Sequence, residues 1–164
     1  MNLIPKALIV LGILLIIFSG HLVLERYSPK KLEFKNLTVG STTYSTIIPV
    51  RIIIPTLKID NGIYKTKINN GNWEATTKGI SYLSSTPVPG DRGNSVLYGH
   101  NWPSLLGNLV KIKPGDKIEI VMSNNEKKTF KVEFTSVVDP NQTHILSQTT
   151  DNRITLYTCT GFLD

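Results

Sequence analysis

One cysteine and one histidine are the residues whose types and positions could carry out chemistry. Cys159 is the only cysteine in the 164-residue chain, and it ends the run 154–159, whose β-branched and aromatic residues predict a buried strand. His100 is one of three histidines and ends a similar run, 95–100. A thiol that another group can reach at a strand end suggests nucleophilic catalysis, with the imidazole as its partner.

The chemistry of such a pair depends on proton transfer. A cysteine attacks as the thiolate, which is a minor species at neutral pH when the pKa is near its ordinary value of about 8.5. A nearby imidazole can take the thiol proton and later protonate the leaving group. The alternatives are a cysteine buried as a small hydrophobic residue and a histidine with a structural hydrogen bond. His21 and His144 are less well framed by strand and glycine than His100.

Composition excludes several other functions. The net charge of +6 is modest and thinly spread, so nucleic-acid binding is not favoured. A single cysteine excludes an internal disulfide and a zinc site built on several thiolates. The available carboxylates lack the spacing of an oxygen cage, so we expect neither a metal nor a cofactor; they are Asp116, Glu119, Glu126 and Asp139.

The first 26 residues are predominantly apolar and approach the length that spans a bilayer. A cleaved signal peptide and an uncleaved anchor are both possible, and the bulky Phe18 before Ser19 and Gly20 favours the anchor. The flanking charges lean slightly against an extracytoplasmic domain. Residues 27–46 are polar and without periodicity, which predicts a stalk.

Residues 47–164 are predicted to form a mainly β domain. Short β-branched runs alternate with turn signals, which indicates a sandwich or a closed barrel. We expect short helical turns around Tyr82-Leu83, in 104–109 and in 144–146. The candidate strands are 51–54, 58–64, 94–98, 117–122, 129–138 and 153–158.

Several motifs of this domain resemble those of the sortases, the bacterial cysteine transpeptidases. Residues 155–159, Thr-Leu-Tyr-Thr-Cys, match the family's TLxTC signature, and 93–100 look like its histidine-bearing strand. Further similar stretches are 52–60, 71–74 and 114–118. The resemblance covers about 50–164, and the order and spacing of the motifs make it specific.

The resemblance implies a closed β-barrel with short helices behind a single N-terminal transmembrane helix. Cys159 would be the nucleophile and His100 its acid/base partner. Thr158, immediately before the nucleophile, is either a supporting residue or simply a β-branched residue of the strand. The enzyme would cleave an LPxTG-like sorting signal of exported proteins through a thioacyl-enzyme. It would then transfer the acyl group to an amine of a cell-wall precursor or a pilin lysine, on the outer face of a bacterial cell membrane.

One expected feature is missing from the sequence. Sortases carry an active-site arginine on the strand that follows the cysteine strand, and this position lies beyond Asp164. Arg92 and Arg153 do not match it. We therefore expect an incomplete sortase that lacks the final barrel strand, or else a natural variant without it, and either would leave a sheet edge exposed.

Two other functions compete with the transpeptidase. A membrane-tethered barrel could bind polypeptide or cell-wall material without catalysis. Another cysteine enzyme of the wall, with an L,D-transpeptidase-like fold, is disfavoured because its Ser-His-Gly-Cys neighbourhood is missing around Cys159.

Overall fold

A computed structural model of the chain describes residues 3–26, 32–34, 45–69 and 71–160. Most of the predicted stalk and the last four residues lie outside these ranges. The chain divides into two units, Met1–Ser28 with Gly161–Asp164, and Pro29–Thr160. In the first unit, residues Leu3–Arg26 form one α-helix, α1. Its stretch Lys6–Glu25 is long and apolar enough to cross a membrane, although a signal sequence passes the same test.

The second unit is built on one seven-stranded sheet that curves into a nearly closed barrel, so the mainly β prediction is confirmed. The strand order is β8-β7-β1-β2-β5-β6-β9, and β3 pairs with β4 in a separate hairpin. The strands are β1 (Pro49–Ile54), β2 (Ile59–Thr66), β3 (Ile68–Asn69), β4 (Asn72–Trp73), β5 (Ile80–Leu83), β6 (Gly93–Gly99), β7 (Lys117–Met122), β8 (Lys127–Lys131) and β9 (Asn152–Thr158).

Two pairs of neighbouring strands run parallel, β2 with β5 and β6 with β9. The other pairs of the sheet are antiparallel. Parallel neighbours need a long crossover connection, and the one between β6 and β9 contains β7 and β8. All seven residues of β6 are buried, as expected for a strand covered on both faces.

Apolar side chains collect on the two faces of β5, β6 and β9. The first core fills the barrel and includes Ile52, Ile80, Leu97 and Ile120, all fully buried. The second core packs on the other face of the same strands. Its buried residues are Leu32, Phe34, Trp73, Leu83, Val96, Tyr98 and Leu146. Leu32 and Phe34 come from the predicted stalk, and within the described residues they belong to the barrel unit.

Most predicted strands are found, with two corrections. Tyr82 and Leu83, predicted as a helical turn, lie in β5 at the middle of the sheet. All four residues of β5 are buried, so the strand has no alternation by which to recognise it. The predicted strand 129–138 is too long, because the ladder of β8 with β7 ends at Lys131. The predicted helical turn at 144–146 is a 3₁₀ helix, Thr143–Leu146.

Candidate active site

The pairing of β6 with β9 determines where the two candidate residues lie. The ladder joins seven residue pairs in register, and its last pair is Gly99 with Thr158. His100 and Cys159 are the next residues of these two strands, so both leave the sheet at the same edge. Parallel neighbours are about 5 Å apart. The structure therefore brings together the two backbone positions that the sequence singled out.

Cys159 lies directly beyond the end of β9, where its thiol is half-buried and forms no disulfide. Its side chain packs against the second core, on the same side as Tyr157. Tyr157 is held from two directions, since its ring stacks on Tyr98 with centroids 5.4 Å apart and its hydroxyl donates to the carbonyl of Leu32. Burial raises the pKa of Tyr157 well above its ordinary value, with smaller contributions from Tyr98 and Cys159. Tyr157, two residues before the candidate nucleophile, is thus a fixed, neutral phenol.

An aromatic cluster supports this part of the second core. Its members, defined here as Phe34, Trp73, Tyr98 and Tyr157, make edge-to-face contacts around the stacked tyrosines. Phe34 meets Tyr157 at 5.1 Å and Trp73 meets Tyr98 at 5.3 Å between ring centroids. Such pairs stabilise a core beyond the area they bury. The cluster joins a segment near the N-terminus, the β3–β4 hairpin, β6 and β9, and sequence analysis missed it because its members are far apart along the chain.

His100 is buried, with 5% of its surface exposed. Its ring stacks on the indole of Trp102 with centroids 4.5 Å apart and planes 10° apart. Burial lowers the pKa of His100 below its ordinary value, because a charged imidazole would lose hydration there. The ring is therefore neutral at pH 7, which is the form that can accept a thiol proton.

A tight turn after His100 holds Trp102 in place. The amide of Leu106 donates to the carbonyl of His100, and the amide of Gly107 donates to that of Trp102. A Cβ at Gly107 would lie 2.8 Å from the backbone of Trp102, so the turn can close only with glycine. The stacking partner of His100 is thereby fixed by backbone geometry.

Thr158 joins the two strand ends outside the ladder. Its hydroxyl donates to the carbonyl of Gly99 at 2.8 Å. This carbonyl belongs to the peptide bond that leads into His100, and Thr158 is bonded directly to Cys159. Gly99 lies close to Ile80 and Leu106, since a Cβ there would meet both side chains at 3.2 Å.

The three described arginines of the barrel unit, Arg51, Arg92 and Arg153, each have a hydrogen-bonding partner of their own. Arg92 and Arg153 are at the opposite ends of β6 and β9, where Arg92 donates to the carbonyl of Thr150 and Arg153 pairs with Asp151. Arg51 forms an ion pair with Asp60 on the neighbouring strand β2.

The acidic residues considered for a metal are spread over the barrel. Asp116 accepts a hydrogen bond from the amide of Lys113, and Glu126 pairs with Lys128. Glu119 lies on β7 and Asp139 beyond β8. Within the described ranges, no three acidic, histidine or cysteine side chains gather as metal ligands would.

A nearly closed barrel with a cysteine and a histidine at neighbouring strand ends defines a class of β-barrel cysteine enzymes. Comparison with known proteins identifies the family, because the family model of the Sortase domain matches residues 52–164. The chain belongs to the sortase family, whose members are cysteine transpeptidases.

Individual relatives agree with this assignment. Sortase A of Listeria monocytogenes is 27% identical over an alignment 163 residues long. The alignment covers 86% of this chain and 71% of that protein. Sortase C1 of Streptococcus agalactiae, solved with MTSET, is 30% identical with a TM-score of 0.58, over 68% of this chain and 58% of that one. The pilus-related sortase C of group B Streptococcus is 26% identical with a TM-score of 0.60, and the match covers 80% of this chain and 70% of that one. The chain thus spans less than two thirds of the first of these structures.

The stacked indole provides a test of the His100 environment. Replacing Trp102 by Ala should admit water to the imidazole and move the pKa of His100 up, towards the ordinary value near 6.5. Titration of the His100 ring resonances by NMR measures this shift directly. Trp102→Phe keeps a flat ring over the imidazole and should retain the lowered pKa. Equal titration midpoints for the wild type and Trp102→Ala would show that the indole does not shield His100.

Proposed function

We propose that this chain is a membrane-anchored cysteine transpeptidase that acts on an LPxTG-like sorting signal. The observation that supports this most is the register of β6 and β9, which sets His100 beside Cys159 in a sortase fold. Cys159 is the nucleophile and His100 the acid/base residue. The half-buried thiol and the neutral imidazole suit these roles.

The first half of the reaction breaks the peptide bond between threonine and glycine of the signal. His100 accepts the thiol proton, and the Cys159 sulfur attacks the threonine carbonyl carbon. The carbonyl oxygen becomes an oxyanion that needs hydrogen-bond donors, and the backbone amide of Thr160 lies at the same edge of the sheet. His100 then protonates the departing glycine amine, which leaves a thioester on Cys159.

The second half transfers the acyl group to an amine. The amine attacks the thioester carbonyl, its proton passes to His100, and the Cys159 thiolate departs. The amine comes from a cell-wall precursor or from a pilin lysine. A sortase A and a pilus-related sortase C are both among the relatives, and both acceptors therefore belong to the proposal. Water resolves the same thioester more slowly.

Helix α1 supports a position at the bacterial cell membrane. We place the barrel on the outer side because exported proteins and wall precursors, the proposed substrates, meet there. Digestion of the barrel by protease added to intact spheroplasts tests this side. A barrel that resists until the membrane is broken would contradict it.

Substitution of the two catalytic residues tests the proposed reaction. Cys159→Ala should abolish the thioester, and His100→Gln should lower kcat/KM by at least about a hundredfold, because both halves need proton transfer. Intact-mass spectrometry of the full chain, mixed with a peptide containing Leu-Pro-Glu-Thr-Gly, should show the acyl fragment on the wild type and not on Cys159→Ala. His21→Gln, at an exposed histidine of helix α1, is the matched control and should behave as the wild type. A Cys159→Ala protein that still exchanges the amine would refute the proposal.

We also propose that Thr158 supports the site by fixing the two strand ends to each other. Thr158→Val keeps the shape of the side chain but removes the hydrogen bond to the Gly99 carbonyl. Loss of about 1 kcal/mol of positioning energy predicts a decrease of about fivefold in kcat. Thr158→Ser retains a hydroxyl and should recover most of the activity in the same peptide assay. Equal rates for the valine and serine variants would show that the hydroxyl has no such role.

A further inference from the structure

Asn94, the second residue of β6, forms three side-chain hydrogen bonds, to β9 and to the segment that precedes β9. Its side chain is 1% exposed. The amide nitrogen donates to the carbonyls of Ile145 at 3.0 Å and Ser147 at 3.2 Å, and the amide oxygen accepts from the hydroxyl of Thr155 at 2.8 Å. Both amide hydrogens and the amide oxygen are thus used, as a buried amide requires.

The partners of Asn94 lie mainly in the β8–β9 connection, defined as residues 132–151. The one helical element there is the 3₁₀ helix Thr143–Leu146. The backbone of Asn94 adds two further bonds, because its amide donates to the side-chain oxygen of Gln148 and its carbonyl accepts from the side-chain nitrogen. The Thr155 hydroxyl, whose single hydrogen is directed to Asn94, also lies 3.3 Å from the carbonyl oxygen of Ile145. One residue of β6 therefore holds the second half of the connection.

The held segment contributes apolar side chains to the second core. Leu146 is buried in the second core, and Ile145 and Val138 pack against it. Cys159 packs against this same core. A shift of the backbone at 145–147 would therefore move apolar side chains that share a packing surface with the nucleophile.

Asn94 itself is remote from the reacting atoms. It lies five residues before Gly99 on β6, which corresponds to about 17 Å along a strand. Any effect of Asn94 on the reaction must therefore pass through the connection.

We infer that Asn94 is a positioning residue, which holds the β8–β9 connection against β9 so that the connection forms one flank of the binding surface for the polypeptide donor. This inference rests on the proposed transpeptidase function. Thr155, the first threonine of the TLxTC run, supplies the hydroxyl that anchors Asn94 from the nucleophile strand. The two threonines of the signature thus have different bonds. Thr155 binds the residue that holds the connection, and Thr158 binds the end of β6 to the end of β9.

If Asn94 has this role, its loss should weaken binding of the peptide donor without changing the reactivity of the Cys159 thiol. Asn94→Leu removes all three side-chain bonds, and Thr155→Val is a milder variant that removes the hydroxyl. Both should raise KM for an internally quenched Leu-Pro-Glu-Thr-Gly peptide by at least about fivefold, while kcat changes by less than about twofold. The rate at which iodoacetamide alkylates Cys159 should stay within about twofold of the wild type, because this small reagent needs no binding surface. Thr155→Ser should restore KM.

Thr86→Val is the matched control for a loss of buried hydrogen bonds. The hydroxyl of Thr86 donates to the carbonyl of Leu83 and accepts from the amide of Val96, also on β6, without touching the connection. This variant should lose thermal stability but keep KM. Values of KM within about twofold of the wild type for Asn94→Leu and Thr155→Val would overturn the inference, as would an equal rise in Thr86→Val.

Amide hydrogen exchange gives a readout that does not depend on the peptide. Exchange at residues 145–148 should be faster in Asn94→Leu than in the wild type and unchanged in Thr86→Val. Unchanged exchange in Asn94→Leu overturns the positioning role. If the wild type neither binds nor cleaves the peptide, the proposed function and the role of the connection as a binding flank are both contradicted. Faster exchange in Asn94→Leu would then still show that Asn94 holds the connection.

Discussion

The parallel ladder between β6 and β9 is the constraint on which the candidate site depends. Its register places Gly99 opposite Thr158, and this alone decides that His100 and Cys159 leave the sheet side by side. A slip of one residue would turn every side chain of β9 to the other face and move the thiol away from the second core. The hydroxyls of Thr155 and Thr158 each bond to β6, at Asn94 and Gly99. These two bonds fix the register independently of the backbone ladder.

Packing on both faces of these strands gives the two candidate residues different surroundings. Burial lowers the pKa of His100 and favours its neutral ring, and Trp102 stacks on this ring. Cys159 stays half-buried against the second core, so the sulfur is available while its strand is held. The aromatic cluster stabilises the strand immediately before the thiol, because Tyr157 contacts both Tyr98 and Phe34. The candidate site thus combines a rigid support with a half-buried thiol, an arrangement that suits covalent catalysis.

The sequence predicted the parts of the structure that have a local signal. The strands ending at His100 and Cys159 follow from β-branched runs that stop at glycine or polar residues, and the family assignment follows from the motifs at 93–100 and 155–159. β5 was missed because its four residues are buried on both faces and show no alternation. β8 was predicted too long because 132–138 keep β-branched residues although their pairing with β7 has ended. The roles of Asn94 and of the aromatic cluster depend on contacts between residues 50 or more positions apart, such as Asn94 with Ile145, and no local pattern encodes such contacts.

A disulfide trap measures the central claim, which is that residues 100 and 159 are neighbours. The substitution His100→Cys creates a second thiol in a chain whose only other cysteine is Cys159. Backbones about 5 Å apart fall within the range that a disulfide can bridge, roughly 4.4–6.8 Å between Cα atoms. Under mild oxidation, the account predicts a rapid intramolecular disulfide in this variant and little in Val110→Cys, at an exposed position outside the sheet. A His100→Cys protein that stays reduced, or that forms only intermolecular dimers, would contradict the register on which the proposed active site is built.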